Sequence, residues 1–310
     1  MRTDRNGLAY RTVKVIGRII DLIIIAMVVL IALVGIYALW DSNQVFAEAS
    51  SDRYEVYRPQ ENDTKSFEEL QALNSDVFSW ISEYGTKIDY PVVQGEDNFC
   101  YINKSVEGTY SLSGAIFLDF RNQKDFTDSV SIIYGHHMDQ NAMFGDVDQF
   151  AQDGYLQAHP YGSLYVNGKT LGLENIAYVE TDAYDHMIYD LSVSAKDVMR
   201  YVNQKALQKL PVNVESDDRI VILSTCAVSY TDARQLLVAK ISDVVHENPF
   251  PSEEENQKTM HMEVPMLKGE WHQAPVFLWW LLLLLAILIV IGLIVKIYRR
   301  RKMYKAEKDG

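Results

Sequence analysis

The sequence predicts a mainly β domain, a barrel or sandwich, held outside a membrane between two spanning helices. Three observations predict it. Two long apolar runs lie near the ends of the 310-residue chain, basic residues flank each of them, and the acidic middle alternates apolar and polar residues between glycines. With 48% hydrophobic and 23% charged residues, the chain can bury one substantial core, and its composition is not that of a disordered protein.

The apolar runs come first. Ile19–Trp40 holds 22 residues with Asp21 as its one charge, and Val276–Val295 holds 20 with none. As helices each spans roughly 30 Å, the thickness of a bilayer's hydrocarbon core. Residues 1–40 and 276–310 together carry 12 basic against four acidic residues, a balance of +8. The whole chain is −13, so residues 41–275 carry −21. Short basic flanks stay in the cytoplasm. Both termini are therefore read as cytoplasmic and the acidic middle as extracellular, with Trp40, Trp279 and Trp280 near the outer interface. Ala47-Glu48-Ala49 has the small-x-small form of a signal-peptide cleavage site. However, the apolar run exceeds the usual 7–15 residues and ends nine positions before Ala49, so the reading is an uncleaved anchor. Such an acidic domain would repel phosphates, which argues against a nucleic-acid partner.

The resulting order is a basic cytoplasmic tail (1–18), a transmembrane helix (19–40), a polar stalk (41–65), a folded domain (66–246), an acidic tether (247–275), a second transmembrane helix (276–295) and a basic tail (296–310). Within the domain, Ser66-Phe-Glu-Glu69 is a capping box opening a short helix. Strand signals follow at Trp80-Ile81, Lys87–Val93, Ala115–Phe120 and Val130–Tyr134, and again at Ser163–Val166, Leu171–Leu173, Ala177–Asp182 and His186–Leu191. Ser194-Ala-Lys-Asp197 is a second capping box, opening a helix to about Leu210 with Val198, Tyr201, Val202 and Leu207 as its apolar stripe. Arg219–Cys226 and Arg234–Ile241 are the last strands.

Two segments carry reactive side chains directly after strand-like runs. One is Ile132-Ile-Tyr-Gly-His-His-Met138. The other is Leu223-Ser-Thr-Cys226, with Arg234 eight residues on. A strand end aims a group rigidly, and the loop that follows exposes it. A lone thiol has a pKa of about 8.5, and a neighbouring imidazole and guanidinium raise its thiolate fraction. An imidazole can protonate a leaving amine, and a cation can hold the oxyanion. Cys226 and Arg234 are thus the candidate nucleophile and oxyanion partner, and the candidate acid/base is His136 or His137. Neighbouring side chains on an extended segment face opposite ways, so only one of the two can meet Cys226. The chain has two cysteines, Cys100 and Cys226, and a disulfide between them would abolish this reading. Asn98-Phe-Cys100-Tyr-Ile favours a small buried thiol. No metal or cofactor is expected, because the histidines lack suitable carboxylate or cysteine spacing.

These motifs resemble the sortases of Gram-positive bacteria, whose signature is a TLxTC-type strand end, an upstream Gly-His and an Arg on the next strand. The resemblance is strongest to class B. It is carried by Val77-Phe-Ser-Trp-Ile, Gly85–Gly95, Gly114–Arg121, Ile133-Tyr-Gly-His-His-Met138, Met143-Phe-Gly-Asp146 and the helix at 194–210, and it covers about 66–245. Leu223 stands where many members have Thr. The resemblance implies a closed eight-stranded sortase-type barrel with peripheral helices, catalytic His136, Cys226 and Arg234, and a bound motif near Thr225, Ser224 and Tyr134. The implied partners are surface or pilin proteins bearing a sorting motif, and an amine acceptor from a pilin lysine or peptidoglycan. A second span and the absence of an Asp-Pro-aromatic motif in 41–65 favour pilin polymerisation by a class-B-like enzyme. The other readings are a cysteine peptidase that hydrolyses the same substrates and a non-catalytic two-span scaffold.

Overall fold

Strands form where apolar residues alternate or run together, and they close on themselves. The computed structural model describes residues 8–60, 65–226 and 232–250, with backbone alone at 8–11 and 226. Its strands are β1 (Val77–Glu83), β2 (Asp89–Val93), β3 (Ile116–Leu118), β4 (Val130–Tyr134), β5 (Tyr161–Val166), β6 (Lys169–Asp182), β7 (Gln208–Lys209), β8 (Arg219–Cys226) and β9 (Ala233–Ser242). Its helices are α1 (Leu8–Ala49), α2 (Lys65–Leu73), α3 (Tyr155–Ala158), α4 (His186–Tyr189) and α5 (Ala195–Lys205).

Eight strands form a ring in the order β5-β1-β2-β3-β4-β8-β9-β6, and β6 closes it by pairing with β5. The two-residue β7 is attached to the far half of β6. Closure leaves none of the eight with a bare edge. The β2–β3 and β4–β8 pairs are parallel, and the other pairs are antiparallel. The expected eight-stranded barrel is what the chain forms.

β8 is apolar on both faces because both are covered. Val221 and Leu223 join Ile81, Val92, Ile133, Leu164 and Leu237 in one core. Ile220 and Ile222 join Ile132, Leu236 and Val238 in a second core, under Val198, Met199 and Val202 of α5. Burying each of those three helix side chains contributes roughly 1.5–3 kcal/mol. Ser194 caps α5 as expected, its side chain accepting from the Asp197 N–H.

Several elements differ from the sequence reading. The expected strands at Leu171–Leu173 and Ala177–Asp182 are one strand, β6, with an irregularity between Asn175 and Ala177. His186–Tyr189 is a helical turn rather than a strand, because the Asp185 side chain caps it by accepting from the Met187 N–H. α5 stops at Lys205 rather than near Leu210, since Gln208-Lys209 pairs with Ala177-Tyr178, and Leu207 is exposed.

α1 is, among the described residues, the one helix long and apolar enough to cross a membrane. It does not end at Trp40. The segment read as a stalk continues the helix to Ala49, then forms a 3-10 turn (Ser51–Tyr57) that packs on the barrel. Ala49 and Tyr54 are buried, Ser111 Oγ donates to Glu48, Arg53 pairs with Glu107, and Arg58 pairs with Asp89. The expected second span (276–295), its tail (296–310), the tether beyond 250 and residues 1–7 lie outside the described residues.

Candidate active site

β4 ends at Tyr134, which lies beside Ser224 of β8 in the parallel register, and the Gly135 N–H donates to the Ser224 carbonyl (3.2 Å). On the other side of β8, Cys226 is directly opposite Arg234. Positions 136, 226 and 234 therefore fall at the same end of three neighbouring strands. Directly opposed residues in such a sheet have Cβ atoms about 4.5–5.5 Å apart. The Cys226 side chain lies outside the described part of the structure. Cys100 is an unpaired thiol, half-exposed rather than buried as expected, so no bridge ties it to Cys226.

His136 and His137 diverge. His136 Nε2 is 2.7 Å from the carbonyl oxygen of Ile102. A carbonyl can only accept, so Nε2 carries a hydrogen, and Nδ1 is the nitrogen that can exchange a proton. The His137 ring turns the other way, its Nε2 3.1 Å from Asp148 Oδ2. Arg234 is half-buried and donates from Nη1 to the carbonyl of Ala233 (2.9 Å), and among the described residues no carboxylate pairs with it.

A polar and aromatic cluster supports the β4 and β8 ends. The Tyr134 ring stacks on Tyr189, and the Tyr189 and Ser224 hydroxyls share a 2.9 Å hydrogen bond. Tyr134 also donates to Asp119, which is fully buried and accepts from Arg121 and Asn98 as well. Burial pulls the Asp119 carboxyl up. The bonds from Arg121, Asn98 and Tyr134 outweigh it and hold the group below the ordinary carboxylate range. Burial and this carboxylate drive the Tyr134 hydroxyl far upward, so it stays protonated and keeps donating. Thr225 falls with Val221 and Leu223 on the alternate positions of β8, and its hydroxyl is buried without a partner among the described residues. Tyr189, Asp119 and the Ile102 carbonyl were not foreseen as site groups. Only Tyr189 had a signal, the Asp185 cap that makes its turn.

The loop after His136 is tightly folded. The Phe144 N–H donates back to the His136 carbonyl (3.0 Å), and His137 bridges to Met143. Gly145 sits against the Met138 carbonyl, where a Cβ would collide with backbone. Gly145→Ala is expected to cost about 1–3 kcal/mol of stability, measured by denaturant unfolding. Unaltered stability would show that the loop can yield there.

A scan against protein-family models finds no match. Curated relatives do match. The sortase B of Staphylococcus aureus (strain NCTC 8325 / PS 47) is 32% identical over 206 residues, which cover 65% of this chain and 82% of the relative. The chain belongs to the sortase B family. The sortase B of Listeria monocytogenes serovar 1/2a is 34% identical over 179 residues, 56% of this chain and 72% of the relative. Among solved structures, a class B sortase of Streptococcus pyogenes involved in pilus biogenesis is 40% identical, with a TM-score of 0.54. It matches over 57% of this chain and 97% of its own. The Staphylococcus aureus sortase B–substrate complex is 30% identical, with a TM-score of 0.53 and coverage of 58% and 86%. Membership of the sortases implies a cysteine transpeptidase.

Proposed function

We propose that this sortase is a two-pass membrane enzyme, termini inside, whose extracellular domain joins surface or pilin proteins to an amine. Cys226 thiolate adds to the carbonyl carbon of the scissile amide in a sorting motif, and the oxyanion that forms is held by Arg234. His136, as imidazolium, gives its proton to the amide nitrogen. The C–N bond breaks, and a thioester remains on Cys226. An acceptor amine then attacks the thioester and gives up a proton to His136. The C–S bond breaks, restoring the thiolate and leaving a new amide bond. Tyr134 flanks the bound motif, buried Ser224 supports it from beneath through Tyr189, and Thr225 meets it through its backbone, its hydroxyl being buried.

The observation that carries this reading is the register that gathers positions 136, 226 and 234 at one end of β4, β8 and β9. Kinship supports the substrate classes. Staphylococcus aureus sortase B has been solved with a substrate, sortase B has also been solved with triglycine, and the Streptococcus pyogenes relative is involved in pilus biogenesis. Pilus assembly is the favoured outcome. Intact-mass measurement on the full-length protein with sorting-motif peptides tests it. The expected result is a thioester adduct on Cys226 that disappears, with amide product, when a lysine-bearing pilin segment or oligoglycine is added. Adduct formation by the Cys226→Ala protein would overturn the assignment, and loss of the adduct to water alone would favour hydrolysis.

A further inference from the structure

We propose that Tyr90 is a positioning residue that couples the end of the membrane-anchor helix to the loop holding His136. This rests on His136 being the acid/base of the proposed reaction. Tyr90 lies in β2, 2% exposed, and its hydroxyl bonds to Ala49, Met143 and the Ser51 side chain. It donates to the carbonyl of Ala49 (2.8 Å) and accepts from the N–H of Met143 (2.9 Å). Ala49 is the last residue of α1, where helix carbonyls have no partner of their own. Met143 bridges to His137, next to His136. One buried oxygen thus joins the anchor to the catalytic loop. Burial drives the hydroxyl's pKa up to about 12, so it retains the proton it donates.

The loop needs such support. Gln140, Asn141 and Met143 all have left-handed backbones, with φ of 61°, 62° and 54°. Such conformations in residues other than glycine persist only where their surroundings impose them. Here β2 and the residues before it impose them. Lys87 Nζ donates to the Gln140 carbonyl (3.0 Å), the Lys87 N–H donates to Asp146, and Tyr90 receives the Met143 N–H. Of the three, only the Tyr90 contact also reaches the anchor. The helix end is itself held by Glu48 to Ser111 and Arg53 to Glu107, so it is a firm support.

The test uses full-length enzyme in nanodiscs, with acylation by a sorting-motif peptide and hydrogen exchange as readouts. Tyr90→Phe is expected to lower kcat roughly ten-fold, with KM changed less than about two-fold, because a buried N–H is left without its acceptor. Exchange should rise in residues 139–145 and not across the barrel. A double change at the anchor contacts, Arg53→Ala with Ser111→Ala, should lower kcat about three-fold alone and add nothing to Tyr90→Phe. Unchanged kcat and exchange in Tyr90→Phe, exchange rising throughout the barrel, or independent additive losses would each overturn the coupling. Should Tyr90→Phe fail to fold, an unchanged kcat in the Arg53→Ala, Ser111→Ala variant overturns it. Parallel Cys226→Ala and His136→Ala controls separate the two readings. If they retain activity, the reaction assignment has failed. If they are inactive while Tyr90→Phe behaves as the parent, only the coupling has.

Discussion

Full-length protein carrying His136→Ala is expected to form the Cys226 thioester about a thousand-fold more slowly than the parent, whereas His137→Ala costs at most about five-fold. The first figure reflects what a positioned general acid–base contributes, roughly 10²–10⁴ in rate. The second reflects the ~1 kcal/mol of a partly exposed hydrogen bond, here between His137 and Asp148. The contrast follows from geometry. The two rings are adjacent in sequence, yet one is tied to the Ile102 carbonyl at the strand end and the other to a carboxylate of the following loop. Single-turnover acylation followed by intact mass measures it. Equal losses in the two variants, or a larger loss at 137, would reverse the assignment.

Glu83→Gln is expected to stabilise the fold by about 4 kcal/mol at pH 8 and by almost nothing at pH 4. Glu83 ends β1 and is buried, and Asn175 Nδ2 donates to its Oε2 (2.8 Å). Glu83 Oε1 and Asn175 Oδ1 have no partner among the described residues. Burial pushes the Glu83 carboxyl up to about 7, against the opposing pull of the Asn175 bond. An unfolded glutamate titrates near 4.3. Between those values the unfolded chain releases its proton while the folded chain keeps it. Stability therefore falls as pH rises from about 4.3 to 7 and stays lost above that, by roughly 1.4 kcal/mol per unit. A glutamine has no such loss, and its amide can donate to Asn175 Oδ1 while its carbonyl keeps the existing bond. Chemical denaturation of both proteins from pH 4 to 8 measures the difference. Parallel stability curves would show that Glu83 titrates normally.

The strands that carry the site are legible because their composition leaves little choice. Val130–Tyr134 and Arg219–Cys226 are β-branched runs, and the structure has strands with those bounds. Alternation along an extended segment separates His136 from His137, and the two rings do diverge. Ser194 was readable as a cap because its partner lies three residues away. What could not be read depends on distant partners. β6 runs through Asn175 because β5, β7 and β9 all pair along it, while locally it looks like two short strands. The chain after Trp40 has the polar composition of a linker, yet it stays helical, because its end is received by Tyr90 and Ser111. The Ile102 carbonyl that orients His136 is a backbone atom, and no side-chain pattern announces it.

The parallel pairing of β4 with β8 joins Val130 to Ile220, ninety positions along the chain, whereas β8 and β9 are nearly consecutive. Contacts between near neighbours form early, and distant ones must wait for a large loop to close. A folding chain can therefore bring positions 226 and 234 together soon, and position 136 joins them only when the ring shuts.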